Sequence, residues 1–258
     1  MQRQAQIPMV SSVFSLILVS LACATLQPTP TITPEPTATF TASPTATQTR
    51  RPSPTPRPTR TPNLAATQQA EGLQADVQAY HAKGYLTTTA GEFIDYDDFD
   101  EECDSYCGWL LNDRASDFFM TAHFKWSSAY RSAGLSGCGF LFGIQDNANQ
   151  DHYAVFLDRS KVYFLQAGYY AEPLGPTRGS GRVDFANPAD DPVEADFTLI
   201  VKDAYAYVLV DDKLTGEYTL SQSRVLRGEF GLAVLSGTKR DYGTRCEMTN
   251  LHAWIPEE

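Results

Sequence analysis

The spacing of apolar positions divides the chain into four stretches. From residue 7 to residue 22 they form a nearly unbroken run, IPMVSSVFSLILVSLA. Over the following forty residues large apolar side chains almost vanish. In NLAATQQAEGLQADVQAYHAKGY, positions Ala66, Ala70, Leu73, Val77 and Tyr80 recur at three- and four-residue spacing. This is one stripe of a helix over 63–84, with Asn63 as its cap and Gly84 as its stop. The stripe is mostly alanine, so the helix needs a partner: the following domain or a second copy. After Gly84 the period falls to two. In FFMTAHFKWS, Phe118, Met120, Ala122, Phe124 and Trp126 share one face, while Thr121, His123 and Lys125 share the other.

Further strand-like runs follow: GCGFLFGI, HYAVFLD, KVYFLQA, ADFTLIVKD, AYAYVLVDD, GEFGLAVLS and TRCEMTNLHAWI. Their joints are rich in Gly, Asp, Asn and Ser. Many strands with short turns predict an all-β fold. Residues 85–258 exceed the roughly 100 residues of an immunoglobulin-type sandwich, so a two-sheet antiparallel jelly-roll sandwich fits the length better. The acidic run DYDDFDEECD reads as a loop before the cysteine pair.

Composition separates the tether from the domain. Ten of the 16 prolines lie between Pro28 and Pro62. A Thr/Pro-rich segment over 23–62 cannot bury a core and is expected to be disordered and extended, with hydroxyls open to O-glycosylation. Charge divides at the same place. Glu35 is the only acid before residue 64, against five arginines, which leaves 30 acids and 15 bases beyond it, a net of −15. So acidic a domain repels phosphate backbones, which argues against a nucleic-acid partner.

Arg3 and the apolar run read as a signal peptide over 1–22. The run is short for a membrane span of about 20 residues. SLAC resembles the lipobox of bacterial lipoproteins, with Ser20 where an aliphatic residue is usual. The resemblance implies a lipid on Cys23, an anchor in the bilayer and an extracytoplasmic location. Ordinary signal cleavage and an uncleaved anchor are the alternatives. Cys103, Cys107, Cys138 and Cys246 make an even set, as expected outside the cytoplasm. Of the three possible pairings, 103–107 and 138–246 fit the spacing best, the second joining inward-facing positions on neighbouring strands. A zinc site lacks a second cysteine pair.

GCGFLFGIQDNANQDHYAVFLDRSKVYFLQ and FTLIVKDAYAYVLVDDKLTGEY resemble the middle of concanavalin A-like jelly rolls of the laminin-G and 3-keto-disaccharide-hydrolase type. GEFGLAVLSG and CEMTNLHAWI resemble their closing strands. Asp211 and Asp212 stand at the Asn-Gly-like corner, and Gly143 stands where relatives carry a basic residue. The resemblance covers residues 92–255 and implies a sugar-handling fold.

Three functions follow: a non-catalytic binder of carbohydrate or another cell-surface polymer, an enzyme on glycosides of the keto-disaccharide-hydrolase type, or a structural or protein-contact module. No strand carries the alternating carboxylates of a retaining glycosidase. GLSGCG is not a nucleophile elbow. No catalytic residue and no cofactor is expected, with calcium at the acidic run as the sharper alternative. His81 belongs to the helix and His252 to a sheet face. The ligand-binding candidates are His123, Lys125, Gln145, His152 and Tyr163, expected together on one concave sheet.

Overall fold

The computed structural model describes residues 64–130, 134–146, 151–183, 192–224 and 226–257. The signal segment, Cys23, the Thr/Pro tether and the Asn63 cap lie outside them. In chain order the elements are α1 (Leu64–Ala82), β1 (Gly91–Asp95), β2 (Phe99–Cys103), β3 (Tyr106–Ala115), β4 (Phe118–Ser128), β5 (Gly137–Ile144), β6 (His152–Leu157) and β7 (Val162–Ala167). They continue with β8 (Glu172–Leu174), β9 (Arg178–Gly179), β10 (Val193–Lys202), β11 (Tyr205–Val210), β12 (Lys213–Thr219), β13 (Gly228–Leu235) and β14 (Thr244–Pro256).

The strands form two antiparallel sheets, a jelly-roll sandwich. One sheet has eight strands in the order β1-β14-β4-β10-β11-β12-β9, with β2 also paired to β14. The other has six, in the order β3-β13-β5-β6-β7-β8. The chain crosses between sheets repeatedly, so strands distant in sequence become neighbours.

Period-two alternation builds the layer between the sheets. Phe118, Met120, Ala122, Phe124 and Trp126 of β4 meet Cys138, Phe140 and Phe142 of β5 there. Phe124 lies 5.1 Å from Phe140 and 4.8 Å from Phe197, ring centre to ring centre. Burying each such ring contributes about 1.5–3 kcal/mol.

The acidic run is not one loop. Glu101 and Glu102 lie on β2, in register with Cys246 and Arg245 of β14. The Arg245 guanidinium donates to both Asp100 carboxylate oxygens, at 3.0 and 2.7 Å, and holds that carboxyl below its ordinary range. A cation on the partner strand makes acidic side chains compatible with pairing.

Both disulfides span the two sheets. Cys103 of β2 bonds Cys107 of β3, with Cα atoms 6.2 Å apart. Cys138 of β5 bonds Cys246 of β14, with Cα atoms 5.6 Å apart. The second pair therefore faces across the core, where the sequence placed it on neighbouring strands. Inward-facing residues of opposite layers come as close as residues of adjacent strands do.

Helix α1 packs on the outer face of the eight-stranded sheet. Val77 and Tyr80, with Leu86 just beyond the helix, bury against Phe119, Ile200, Leu209 and Trp254. Gly84 ends the helix at φ 79°, its N–H donating to His81 O at 2.9 Å. A bulge in β14 between Thr249 and His252, with Asn250 at φ 52°, moves Leu251 and Ala253 inward and Trp254 outward under the helix.

Candidate functional site

The outer face of the six-stranded sheet carries a groove of about 650 Å³ over β3, β13, β5 and β6. Alternation puts Trp109 and Leu111 of β3 toward the core and Tyr106, Gly108 and Leu110 outward. Leu141 lines its floor and packs with Ala154, Phe156 and Ala233 in a buried apolar cluster. Gly108 keeps that floor low, since a Cβ there would meet Leu141 Cδ1 at 2.9 Å. Tyr106 and Leu110 stand 43% and 53% exposed above it.

Tyr106 and His152 pair at one end of the groove. Their rings are 6.1 Å apart and 14° from parallel, and the Tyr106 hydroxyl lies 2.7 Å from His152 Nε2. Phe156 meets the other side of Tyr106 edge-on at 5.9 Å. Burial pushes the Tyr106 phenol up to about 12, so it remains a proton donor throughout the neutral range. Arg114 binds Glu229 Oε1 through Nε at 3.2 Å and Nη2 at 2.5 Å, which neutralises one wall. The Gln145 amide donates to Gly143 O at 3.0 Å and Arg227 O at 3.1 Å. Gly143 itself adopts φ 63° beside a register shift, a backbone state that disfavours the basic side chain found in the resembled family.

The tip between β7 and β8 extends this edge. His152 pairs with Ala167, and two residues on stand Tyr169 and Tyr170, 75% and 72% exposed, packed edge-to-face at 4.6 Å. Arg224 pins the tip by donating to Ala167 O at 2.6 Å, with its Nη2 3.5 Å from Asp151 Oδ1.

Gln145 and His152 thus share the groove, and Tyr163 lies on the same face of the sheet, in β7. His123 and Lys125 do not join them. They sit on the eight-stranded sheet, on its outer face beyond α1. His123 Nδ1 lies 2.8 Å from Asp196 Oδ1, and Lys125 Nζ lies 3.6 Å from Glu247. Alternation fixes which face of a strand a residue takes, but not which sheet the strand enters. The sequence reading missed Tyr106, Leu110, Tyr169 and Tyr170. The alternation in YCGWLL was the available signal for the first two. Among the described residues no three His, Cys, Asp or Glu side chains cluster as metal ligands.

No family model matches the sequence, and no curated protein matches it. Among solved structures, a carbohydrate-binding module, CBM66 from Bacillus subtilis, is similar at TM-score 0.42 and 14% identity, over 62% of this chain and 92% of that one. A beta-glucanase from Bacillus licheniformis is similar at TM-score 0.40 and 10% identity, over 67% and 95%. A fructosyltransferase from A. japonicus is similar at TM-score 0.45 and 13% identity; this chain spans 28% of its length. These are distant likenesses, and the jelly roll rests on the strand order itself.

Proposed function

We propose that the six-stranded face binds carbohydrate without catalysis, and that the protein presents it outside the cell from a lipid on Cys23. The observation that carries the binding reading is the near-coplanar, hydrogen-bonded Tyr106–His152 pair beside a buried apolar cluster. Sugar rings offer flat C–H faces to aromatic rings and hydroxyl edges to polar groups, and this groove supplies both. Tyr169 and Tyr170 add contact area at the His152 end. Glu229, the carboxylate on the β13 wall, is held by Arg114, which suits it to shaping the groove rather than to moving protons. The anchor reading is supported by the apolar run, the SLAC sequence and the Thr/Pro segment behind it.

A glycan array probed with the full chain tests the first part. Tyr106→Ala should weaken binding to a positive glycan at least tenfold, about 1.4 kcal/mol, and Thr121→Ala on the other sheet should not. Absence of binding to every glycan, or full binding by the Tyr106 variant, would remove the reading. Release of products from the same glycans would replace it with the glycoside-acting enzyme. Labelling with a fatty acid tests the anchor: Cys23→Ser must abolish incorporation.

A further inference from the structure

The strand register of this acidic domain sets cations opposite carboxylates. Arg114 faces Glu229, Lys125 faces Glu194 and Glu247, Arg245 faces Glu102, and Arg178 faces Glu217. The opposed acid pair Asp100–Glu247 is offset by Arg245, which contacts both carboxylates. Among the described strand pairs one sets cation against cation. Lys161, at the end of the β6–β7 turn, lies directly opposite Arg182 in an isolated antiparallel bridge. The pairing is fixed by the backbone, with Val162 N–H donating to Gly181 O at 2.7 Å and Val183 N–H to Ser160 O at 2.9 Å. Like charges held directly opposite destabilise a strand pair.

These two cations line a second cavity of about 650 Å³, together with Arg159. The Arg159 guanidinium lies over the Trp126 ring at 5.0 Å, and Lys161 Nζ stands 5.6 Å from the Tyr163 ring centre. Lys161 and Arg182 are exposed, and among the described residues neither enters an ion pair. The cavity has one carboxylate, Asp158, whose Oδ1 accepts the Arg159 backbone N–H at 2.6 Å. Among the described lining residues the opposed pair Lys161 and Arg182 stands against one carboxylate, Asp158, inside a domain of net charge −15.

We propose that this cavity is an anion subsite for a carboxylate or sulfate group borne by an acidic polysaccharide. Opposed side chains on paired strands are about 5 Å apart at Cβ, a span that one oxyanion bridges, and the Arg182 fork can bind it bidentately. The occupant is sparsely charged. A nucleic acid or an anionic bilayer would meet the domain's negative charge across its whole footprint, whereas a single charged group on a sugar meets only the cavity. The inference stands apart from the groove, which lies on β3, β13, β5 and the His152 end of β6, while the β6–β7 turn closes the other end of that strand.

The full chain is titrated at low salt with hyaluronate, lightly substituted dextran sulfate, unsubstituted dextran and anionic phospholipid vesicles, with inorganic sulfate as competitor. Both acidic polymers should bind, dextran and vesicles should not, and sulfate should compete. Lys161→Glu and Arg182→Glu should each cut the affinity at least tenfold. Each variant places opposite charges face to face, so its melting temperature should hold or rise, which separates lost binding from lost folding. Lys161→Gln should give an intermediate affinity. Thr121→Ala, on the other sheet, should leave acidic-polymer binding unchanged. The proposal is overturned by no acidic-polymer binding, by undiminished binding in both reversals, by dextran binding as tightly, by capture on vesicles alone, or by loss of binding in the Thr121 variant.

Discussion

Asp212 joins two costs at one residue. With Asp211 it forms the two-residue turn between β11 and β12, at φ 61° and 49°, the type I′ pattern that favours glycine. The corner was legible in the sequence as VDDK between two apolar runs. Its second effect was not, because it crosses to α1. Burial raises the Asp76 carboxyl, and the Asp212 charge raises it further. Asp212→Gly should therefore stabilise the fold by about 0.5–1 kcal/mol in chemical denaturation. Asp211 should be kept, since its Oδ1 accepts the Asp196 N–H at 3.1 Å. The sign with pH follows from the direction of the shift. Asp76 titrates higher when folded than its ordinary 3.8, so the folded state takes up the proton first. Its contribution to stability grows as pH falls through the folded pKa and is complete below the unfolded one. Asp76→Asn should remove this acid-side gain and raise stability at pH 7, measured as melting temperature against pH.

At the scale of elements, β14 shows how one residue decides what a strand presents. Cys246 and Met248 point inward; strict alternation would then send Asn250 and His252 inward and leave Leu251 exposed. The bulge at Asn250 resets the count. Leu251 enters the core, and Trp254 turns out to stack on Phe119 at 6.0 Å under α1. His252 also faces out, 2.7 Å from Asp95 Oδ1 and 2.8 Å from Gln69 Nε2 of the helix. Deleting Asn250 should reverse the facing of residues 251–256. We expect a loss of several kcal/mol or no soluble protein, whereas Asn250→Gly, which keeps the left-handed backbone, should fold and melt close to the parent. Strands β4 to β7, β10, β11, β13 and β14 were visible in the sequence because their apolar positions alternate against one core. The strands β1 to β3 were not. Their stability comes from partners far along the chain: Arg245 for β2, and β13 for the outward half of β3.

For the whole sandwich the two disulfides are unequal in reach. The 138–246 bond closes a separation of 108 residues, and the 103–107 bond only four. In the chain-entropy model these are worth about 5 and about 2 kcal/mol. Replacing Cys138 and Cys246 together by alanine should cost correspondingly more than replacing Cys103 and Cys107, as read from denaturation midpoints. Peptide mapping without reduction checks both pairings. The sequence yielded the cysteine partners but not their direction across the core, because facing layers leave no periodic trace. The candidate groove was half legible for the same reason. Gln145 directly follows β5 and His152 opens β6, the next strand and its pairing partner, while Tyr106 reaches His152 only through the order in which β3, β13 and β5 pair.

Both disulfides lock sheet to sheet, and α1 has no covalent tie to either beyond the chain itself. Any pull delivered along the segment before residue 64 therefore loads the helix first. Its 19 residues span about 28 Å when helical and about 65 Å when drawn out. Under such a pull the helix would act as a shock absorber: Val77 and Tyr80 would peel from the sheet first, while β3 and β5 of the groove stay cross-linked to the opposite layer behind it.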